Sequence, residues 1–177
     1  MDNRSKVILF TGCMFSGKSL NLINKTLQLN KSYECFKPNI DSRDGDFVVS
    51  RNSDIKLPAR RIKNLAEILD SKAEVIVLDE IQFFDRDSFE KAVLDLKKTD
   101  KTVLMSGLDR IANGEFWDTY KVAEKLADEV IKLNAVCDEC GGVASYTKKI
   151  SGSNAAIEIE SKDVRYIPVC EKCFKKN

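Results

Sequence analysis

The sequence predicts an α/β protein built on an open parallel sheet, and three observations predict it. Apolar runs of strand length alternate with segments of helical apolar spacing up to about residue 134. The run "VIVL", Val75–Leu78, is apolar at every position, as expected of a strand covered on both faces. The stretch "GCMFSGKS", Gly12–Ser19, follows the apolar run "KVILFT" and precedes a helical pattern. That is the position a phosphate-binding loop takes between strand and helix.

The elements follow in order. Residues 6–11 read as a buried strand, and Lys18 to Leu29 as a helix with Leu20, Ile23 and Leu27 near one face. "YECFK", 33–37, reads as a second strand. The polar stretch from Pro38 to Pro58 reads as a loop of about 20 residues, with "DFVVS" as an optional strand inside it; loops of that length are usually functional or mobile. "NLAEILD" reads as a short helix, "AEVIVLDE" as a strand and 86–98 as a helix. "KTVLMSG" reads as a strand, 118–127 as a helix and "EVIKLNA" as the last strand. Right-handed crossovers join the parallel strands. From Ala135 onward short β-like pieces lie between cysteines, so a boundary is expected at 134, with domains 1–134 and 135–177.

Composition sets limits. A chain of 177 residues suits one domain with a small appendage, and 43% apolar with 32% charged residues reads as soluble and globular. The 29 basic and 28 acidic residues leave a net charge of +1, which argues against a nucleic-acid groove. No apolar run approaches the roughly 18 residues of a membrane span. The start "MDNRSK" is too polar for a signal peptide, so the expected location is cytoplasmic. Histidine is absent, so a base must be Asp, Glu, Lys, Tyr or Cys.

The pattern G-x-x-x-x-G-K-[ST] assigns Gly12, Cys13, Met14, Phe15, Ser16, Gly17, Lys18 and Ser19 to the phosphates of a nucleoside triphosphate, in a P-loop NTPase (RecA-like) fold. The glycines let backbone N–H groups face phosphate oxygens, and the following helix adds its positive N-terminal end. Lys18 would reach the β- and γ-phosphates, and Ser19 would ligate Mg²⁺. Asp79 and Glu80 close the strand "VIVL", at the carboxyl edge where ligands of such sheets bind. Asp79 suits Mg²⁺, and Glu80 suits a base, since burial of a carboxylate in such a cleft raises its pKa. In "IDSRDG", Asp41 could hold the metal's water shell and Arg43 could clamp transferring phosphate; read alone, a charged segment of this kind is usually just a solvated loop. The loop by itself leaves the phosphate acceptor open.

Cys137-x-x-Cys140 and Cys170-x-x-Cys173 offer four thiolates for a tetrahedral Zn²⁺ site of structural type. Two redox pairs or buried thiols are the alternatives. The intervening segment must loop out, and "SGSNAA" supplies a flexible tip. Cys13 and Cys35 read as packed thiols.

With these motifs in place, the chain resembles the zinc-bearing thymidine kinase family along most of its length. "GCMFSGKS" resembles that family's P-loop, "IDSR" its D-x-R element, "DEIQFF" its D-E-x-Q-F-F, and "SGLD" its G-L-D strand end. "LNAVCDEC", "SYTKKI" and "RYIPVCEKC" resemble its zinc ribbon and terminal lasso loop. The resemblance implies ATP-dependent phosphorylation of a deoxynucleoside 5′-hydroxyl, usually that of thymidine, by a homotetramer with Mg²⁺ and Zn²⁺. It implies Glu80 as the base. Lys18, Ser19, Asp41, Arg43 and Asp79 would handle phosphate and metal. Gln82, with the nucleotide-contacting set, would border the base pocket beside Met14, Phe83, Leu108 and Ala112. Tyr166 would lie over the nucleoside.

Some positions depart from the family pattern. Ala112 stands where the family carries a Phe that stacks on thymine, a contact worth about 1–3 kcal/mol. Glu160, Ser161 and Lys162 replace the lasso's I-G-G, removing glycines that permit close backbone approach. Glu171 stands in place of an Arg. These departures keep two further readings open beside a thymidine kinase: a catalytically degenerate nucleotide-binding paralogue, and a kinase with an altered nucleoside acceptor. A zinc-ribbon ATPase acting on nucleic acid is the remaining class, and the charge balance opposes it.

Overall fold

The computed structural model describes residues 5–50, 54–155 and 157–176. In chain order the first elements are β1 (Lys6–Gly12), α1 (Lys18–Gln28), β2 (Tyr33–Pro38), β3 (Phe47–Val49), β4 (Lys56–Pro58) and β5 (Arg60–Ile62). A 3₁₀ segment, Leu65–Asp70, leads to β6 (Val75–Leu78), and a second, Ile81–Phe83, leads to α2 (Arg86–Leu96). Then come β7 (Thr102–Leu108), α3 (Asp118–Leu126) and β8 (Glu129–Leu133). The remainder is β9 (Ala135–Val136), β10 (Val143–Ala144), β11 (Tyr146–Ser151), β12 (Arg165–Val169) and α4 (Glu171–Phe174).

Six strands form one sheet in the order β5-β2-β6-β7-β1-β8, and every pairing is parallel. The alternation of side chains across a strand divides the core in two. Val7 and Leu9 of β1 face one side with Ile76, Leu78, Phe89 of α2 and Ala123 of α3. Ile8 and Phe10 face the other with Val75, Val77, and Leu22 and Ile23 of α1. All four residues of β6 are fully buried, which accounts for its unbroken apolar run. Asp85 caps α2 by accepting from Ser88 N–H at 2.9 Å, and Asn64 caps its 3₁₀ segment through Ala66 N–H.

Three sequence expectations change. The buried face of α1 is Leu22, Ile23 and Thr26, while Leu27 is 48% exposed. The sheet takes the neighbouring helical stripe, and the Thr26 hydroxyl is satisfied by Leu22 O at 2.8 Å. The optional strand "DFVVS" is present as β3, and the change is its pairing with the unexpected β4 in an antiparallel hairpin whose Val48 and Leu57 join the core. Arg60–Ile62 is an additional edge strand, unsignalled because only Ile62 of its three residues is buried.

Beyond β8, β9 pairs with β10 and β11 with β12, both antiparallel. A third apolar cluster lies here, formed by Cys13, Cys137, Ala144, Val169 and Cys173, with Tyr146 and Phe174 packed against it. Cys13 of the first loop therefore ties the ribbon to the sheet. No helix among the described residues is long and apolar enough to cross a membrane.

Candidate active site

The loop Gly12–Ser19 is shaped by two glycines. Gly12 has φ +143°, and a Cβ there would stand 2.1 Å from Leu133 O in the adjacent strand. Gly17 has φ +82° and immediately precedes α1. The loop is held from the ribbon side as well: Met14 N–H donates to Thr147 Oγ1 at 3.0 Å, and Cys13 Sγ reaches Ala144 O at 3.5 Å. Burial pushes the Cys13 thiol up, so it is a packed thiol. Lys18 Nζ donates to Cys13 O at 2.6 Å, folding back across its own loop. Burial pulls the Lys18 ammonium down from its ordinary pKa, against the opposing effect of Glu80. Ser19 lies in the first turn of α1, at the positive end of the helix.

Opposite the loop, β6 delivers two carboxylates. Asp79 is buried, and its N–H bonds to Phe36 O at 3.0 Å. Burial and the adjacent Glu80 push the Asp79 carboxyl up to about 7. Glu80 sits at φ +51°, a left-handed conformation uncommon for a non-glycine residue. Both of its oxygens are engaged: Arg43 Nη2 donates to Oε1 at 2.8 Å, and Gln82 Nε2 donates to Oε2. Gln82 Oε1 in turn accepts from Leu108 N–H at 3.1 Å. Gly107 permits this approach, since a Cβ there would lie 2.8 Å from Gln82 Oε1. Arg43 also donates through Nε to Asp41 Oδ1 at 2.7 Å. Burial pushes the Asp41 carboxyl up, but Arg43 outweighs it and holds the group below the usual carboxylate range.

One cavity gathers these groups. Met14, Phe15, Gly17, Lys18 and Ser19 line it from the loop, with Asp41 and Arg43 above and Asp79, Glu80 and Gln82 from the end of β6. Phe83, Leu108 and Ala112 form another wall, and Tyr166 closes it from the ribbon side. Gly12, Cys13 and Ser16 shape the loop without lining the cavity. Sequence reasoning missed Trp117, whose ring meets Phe83 edge-to-face at 5.8 Å on the wall that contains Ala112. It also missed Phe47 and Val49 of the hairpin, and Ile157 and Ile159 between β11 and β12. The signal for Trp117 was present, as the single tryptophan five residues beyond Ala112.

The segment between β11 and β12 is tied internally. Lys149 Nζ donates to Ser153 O at 2.7 Å, to Ala155 O at 2.9 Å and to the Glu158 carboxylate. The Tyr166 hydroxyl donates to Glu158 O at 2.7 Å. Ser161, where the related pattern has glycine, makes a turn: its Oγ accepts from Val164 N–H at 3.2 Å, and its N–H bonds to Val164 O.

Cys137, Cys140, Cys170 and Cys173 converge, their four Sγ atoms all within 4.8 Å of one another. Four thiolates around Zn²⁺ at about 2.3 Å place sulfurs about 3.8 Å apart, so the donor set fits Zn²⁺. The Cys140–Cys170 separation, 3.6 Å, agrees. Backbone bonds Cys137 N–H to Gly142 O and Gly141 N–H to Cys137 O form one turn, and Cys170 precedes α4. Cys35 lies in the sheet core instead, its thiol pushed up to about 12 by burial.

The thymidine kinase family profile matches residues 5–174. Thymidine kinase of Ureaplasma urealyticum serovar 10 is 36% identical over 164 residues, covering 86% of this chain and 73% of that protein. Thymidine kinase of Pseudothermotoga lettingae is 32% identical over 178 residues, covering 97% of this chain and 95% of its own length. That of Porphyromonas gingivalis is 31% identical over 179 residues, covering 98% and 86%. With a family match over residues 5–174 and relatives above 30% identity covering 86–98% of this chain, the chain belongs to the thymidine kinase family.

Proposed function

We propose that this chain transfers the γ-phosphoryl group of ATP to the 5′-hydroxyl of a deoxynucleoside, converting thymidine to dTMP. The observation that carries the reading is the meeting of the phosphate loop, the Glu80 carboxylate and the Tyr166 segment around one cavity. Donor phosphates, base and acceptor wall then lie within reach of one another, as positioning catalysis requires.

Glu80 takes the proton from the 5′-hydroxyl as the O5′–Pγ bond forms and the bond from Pγ to the bridging oxygen breaks, ADP leaving with the electron pair. Arg43 and Gln82 aim the carboxylate, since each holds one of its oxygens. Lys18, the backbone N–H groups of Ser16 to Ser19 and the α1 N-terminus bind the phosphates. Arg43 offsets charge on the transferring group. Ser19 and Asp79 would supply the hard oxygen donors that Mg²⁺ prefers, and Asp41 would support its water shell. Asp79 is buried beside a second carboxylate, that of Glu80, where a cation would offset their like charge. When bound, Mg²⁺ would offset phosphate charge.

Met14, Phe83, Leu108, Ala112 and Tyr166 receive the nucleoside, with Trp117 and Phe83 as the aromatic wall. Residues 1–134 serve as the kinase domain and 135–177 as the zinc ribbon and lasso, with Zn²⁺ in a structural role. Assembly as a homotetramer, cytoplasmic location and a role in nucleotide salvage for DNA synthesis complete the reading, with no nucleic-acid or membrane partner.

The test is ATP-dependent phosphorylation across a panel of deoxynucleosides, with Glu80→Gln as the control. Thymidine turnover lost in the control supports the reading. Preference for another nucleoside would assign an altered acceptor, as Ala112 allows. Tight nucleotide binding without any transfer would favour a degenerate paralogue.

A further inference from the structure

Lys37 has a position the phosphoryl-transfer scheme does not use. It lies in β2, between the core residues Phe36 and Cys35 and the following Pro38, and it is only 1% exposed. β2 is flanked by strands on both sides, where an apolar residue is the ordinary choice. A buried ammonium is costly unless it is paired and hydrogen-bonded. Its two partners are Asp41 Oδ2 at 3.5 Å and Phe47 O at 3.1 Å. Asp41 is itself buried, and Arg43 binds its other oxygen at 2.7 Å. Arg43 then reaches Glu80 at 2.8 Å. The result is a chain of alternating charge, Lys37–Asp41–Arg43–Glu80, running from inside the sheet to the cavity.

We propose that Lys37 is a positioning residue for phosphoryl transfer: its buried ammonium fixes Asp41, and through Asp41 and Arg43 it fixes the Glu80 carboxylate. The proposal deepens the kinase reading and rests on it for its kinetic readout. Without Lys37, Asp41 keeps one cation instead of two. Arg43 then loses the rigid anchor that sets its reach to Glu80. The bond to Phe47 O gives Lys37 a second, purely structural task on the hairpin, and the test separates the two.

Lys37→Met is expected to lower kcat by about 10–100-fold, with KM for thymidine within about threefold of wild type. In an Asp41→Asn background the same change is expected to cost less than about threefold more, because both act on one chain. Losses that multiply would overturn the proposal. Should Lys37→Met fail to fold, Lys37→Gln keeps a donor for the hairpin and removes the charge facing Asp41. A folded Gln variant with wild-type kcat would overturn it equally. Absence of transfer to any deoxynucleoside by the wild type would refute the kinase reading alone. The proposal is then read from crystal structures: it expects the Arg43–Glu80 bond to be lost in the Lys37 variant, and retention of that bond contradicts it.

Discussion

Arg43 Nη2 donates to Glu80 Oε1 at 2.8 Å, joining the long loop after β2 to the end of the central strand β6. The same guanidinium holds Asp41 at 2.7 Å, so one planar fork spans two carboxylates. Arg43→Lys cannot span both, because an ammonium is a single point charge. It is expected to lower kcat for thymidine phosphorylation by about 10–1,000-fold with ATP affinity little changed. Steady-state kinetics with calorimetric ATP titration checks this.

The ribbon supports the phosphate loop from outside the sheet, through Met14 with Thr147 and Cys13 with Ala144. Zinc removal should therefore be felt at the nucleotide site. Cys140→Ser is expected to reduce bound zinc from one per chain to near none. It should also lower the thermal midpoint by about 10 °C, as loss of a structural zinc site worth several kcal/mol implies for a chain of this size. ATP affinity is expected to fall with it. Metal analysis, thermal unfolding and calorimetry read the three effects.

Gly12 and Gly141 both have positive φ, at +143° and +74°, but differ in their surroundings. A Cβ on Gly12 would strike Leu133 O at 2.1 Å, whereas one on Gly141 has nothing within 4 Å. Gly141→Ala is expected to cost only the left-handed penalty, about 1–2 kcal/mol. Gly12→Ala must also part β1 from β8 and is expected to abolish soluble folded protein. Expression and denaturant unfolding of the two variants compare them directly.

Asp128 accepts from Val7 N–H at 2.8 Å and from Lys97 Nζ at 2.8 Å, where β1, α2 and β8 approach one another. Partial burial pushes its carboxyl up, but these two donors outweigh burial and hold it below the usual range. A lowered folded-state pKa contributes stability above the unfolded value, near 3.8, and loses it as pH falls through the folded value. Asp128→Asn is expected to destabilise by about 1 kcal/mol near neutral pH, the group being part exposed. The gap in thermal midpoint between wild type and variant should hold from pH 7 to about 5 and narrow below about 4.

Much of the site was legible because its chemistry is local in the chain. Gly12 to Ser19 are contiguous, and Asp79 and Glu80 end one buried strand, so spacing alone marks them as candidates. The cysteine pairs were legible for the same reason, although only folding brings Cys140 to 3.6 Å from Cys170. What escaped depends on distant partners. The burial of Lys37 has no signal in the strand "YECFK"; it depends on Asp41 and Phe47 enclosing the side chain. Arg60–Ile62 gives no apolar pattern because an edge strand buries only one residue in three. The face of α1 was ambiguous because Leu20-Ile23-Leu27 and Leu22-Ile23-Thr26 both satisfy helical spacing, and only the position of the sheet selects between them. The role of Ser161 follows from its turn with Val164, which a missing glycine does not reveal.

The central claim is that Glu80 is the base in ATP-dependent phosphorylation of a nucleoside hydroxyl. Its most direct test measures dTMP formed from ATP and thymidine by wild type and Glu80→Gln side by side, with ATP binding followed by calorimetry. Wild type is expected to form dTMP and ADP in equal amounts. The variant should lose on the order of 10²–10⁴-fold in kcat while ATP affinity stays within about threefold. No transfer to any deoxynucleoside by a wild-type protein that binds ATP, or a variant as active as wild type, would contradict the account.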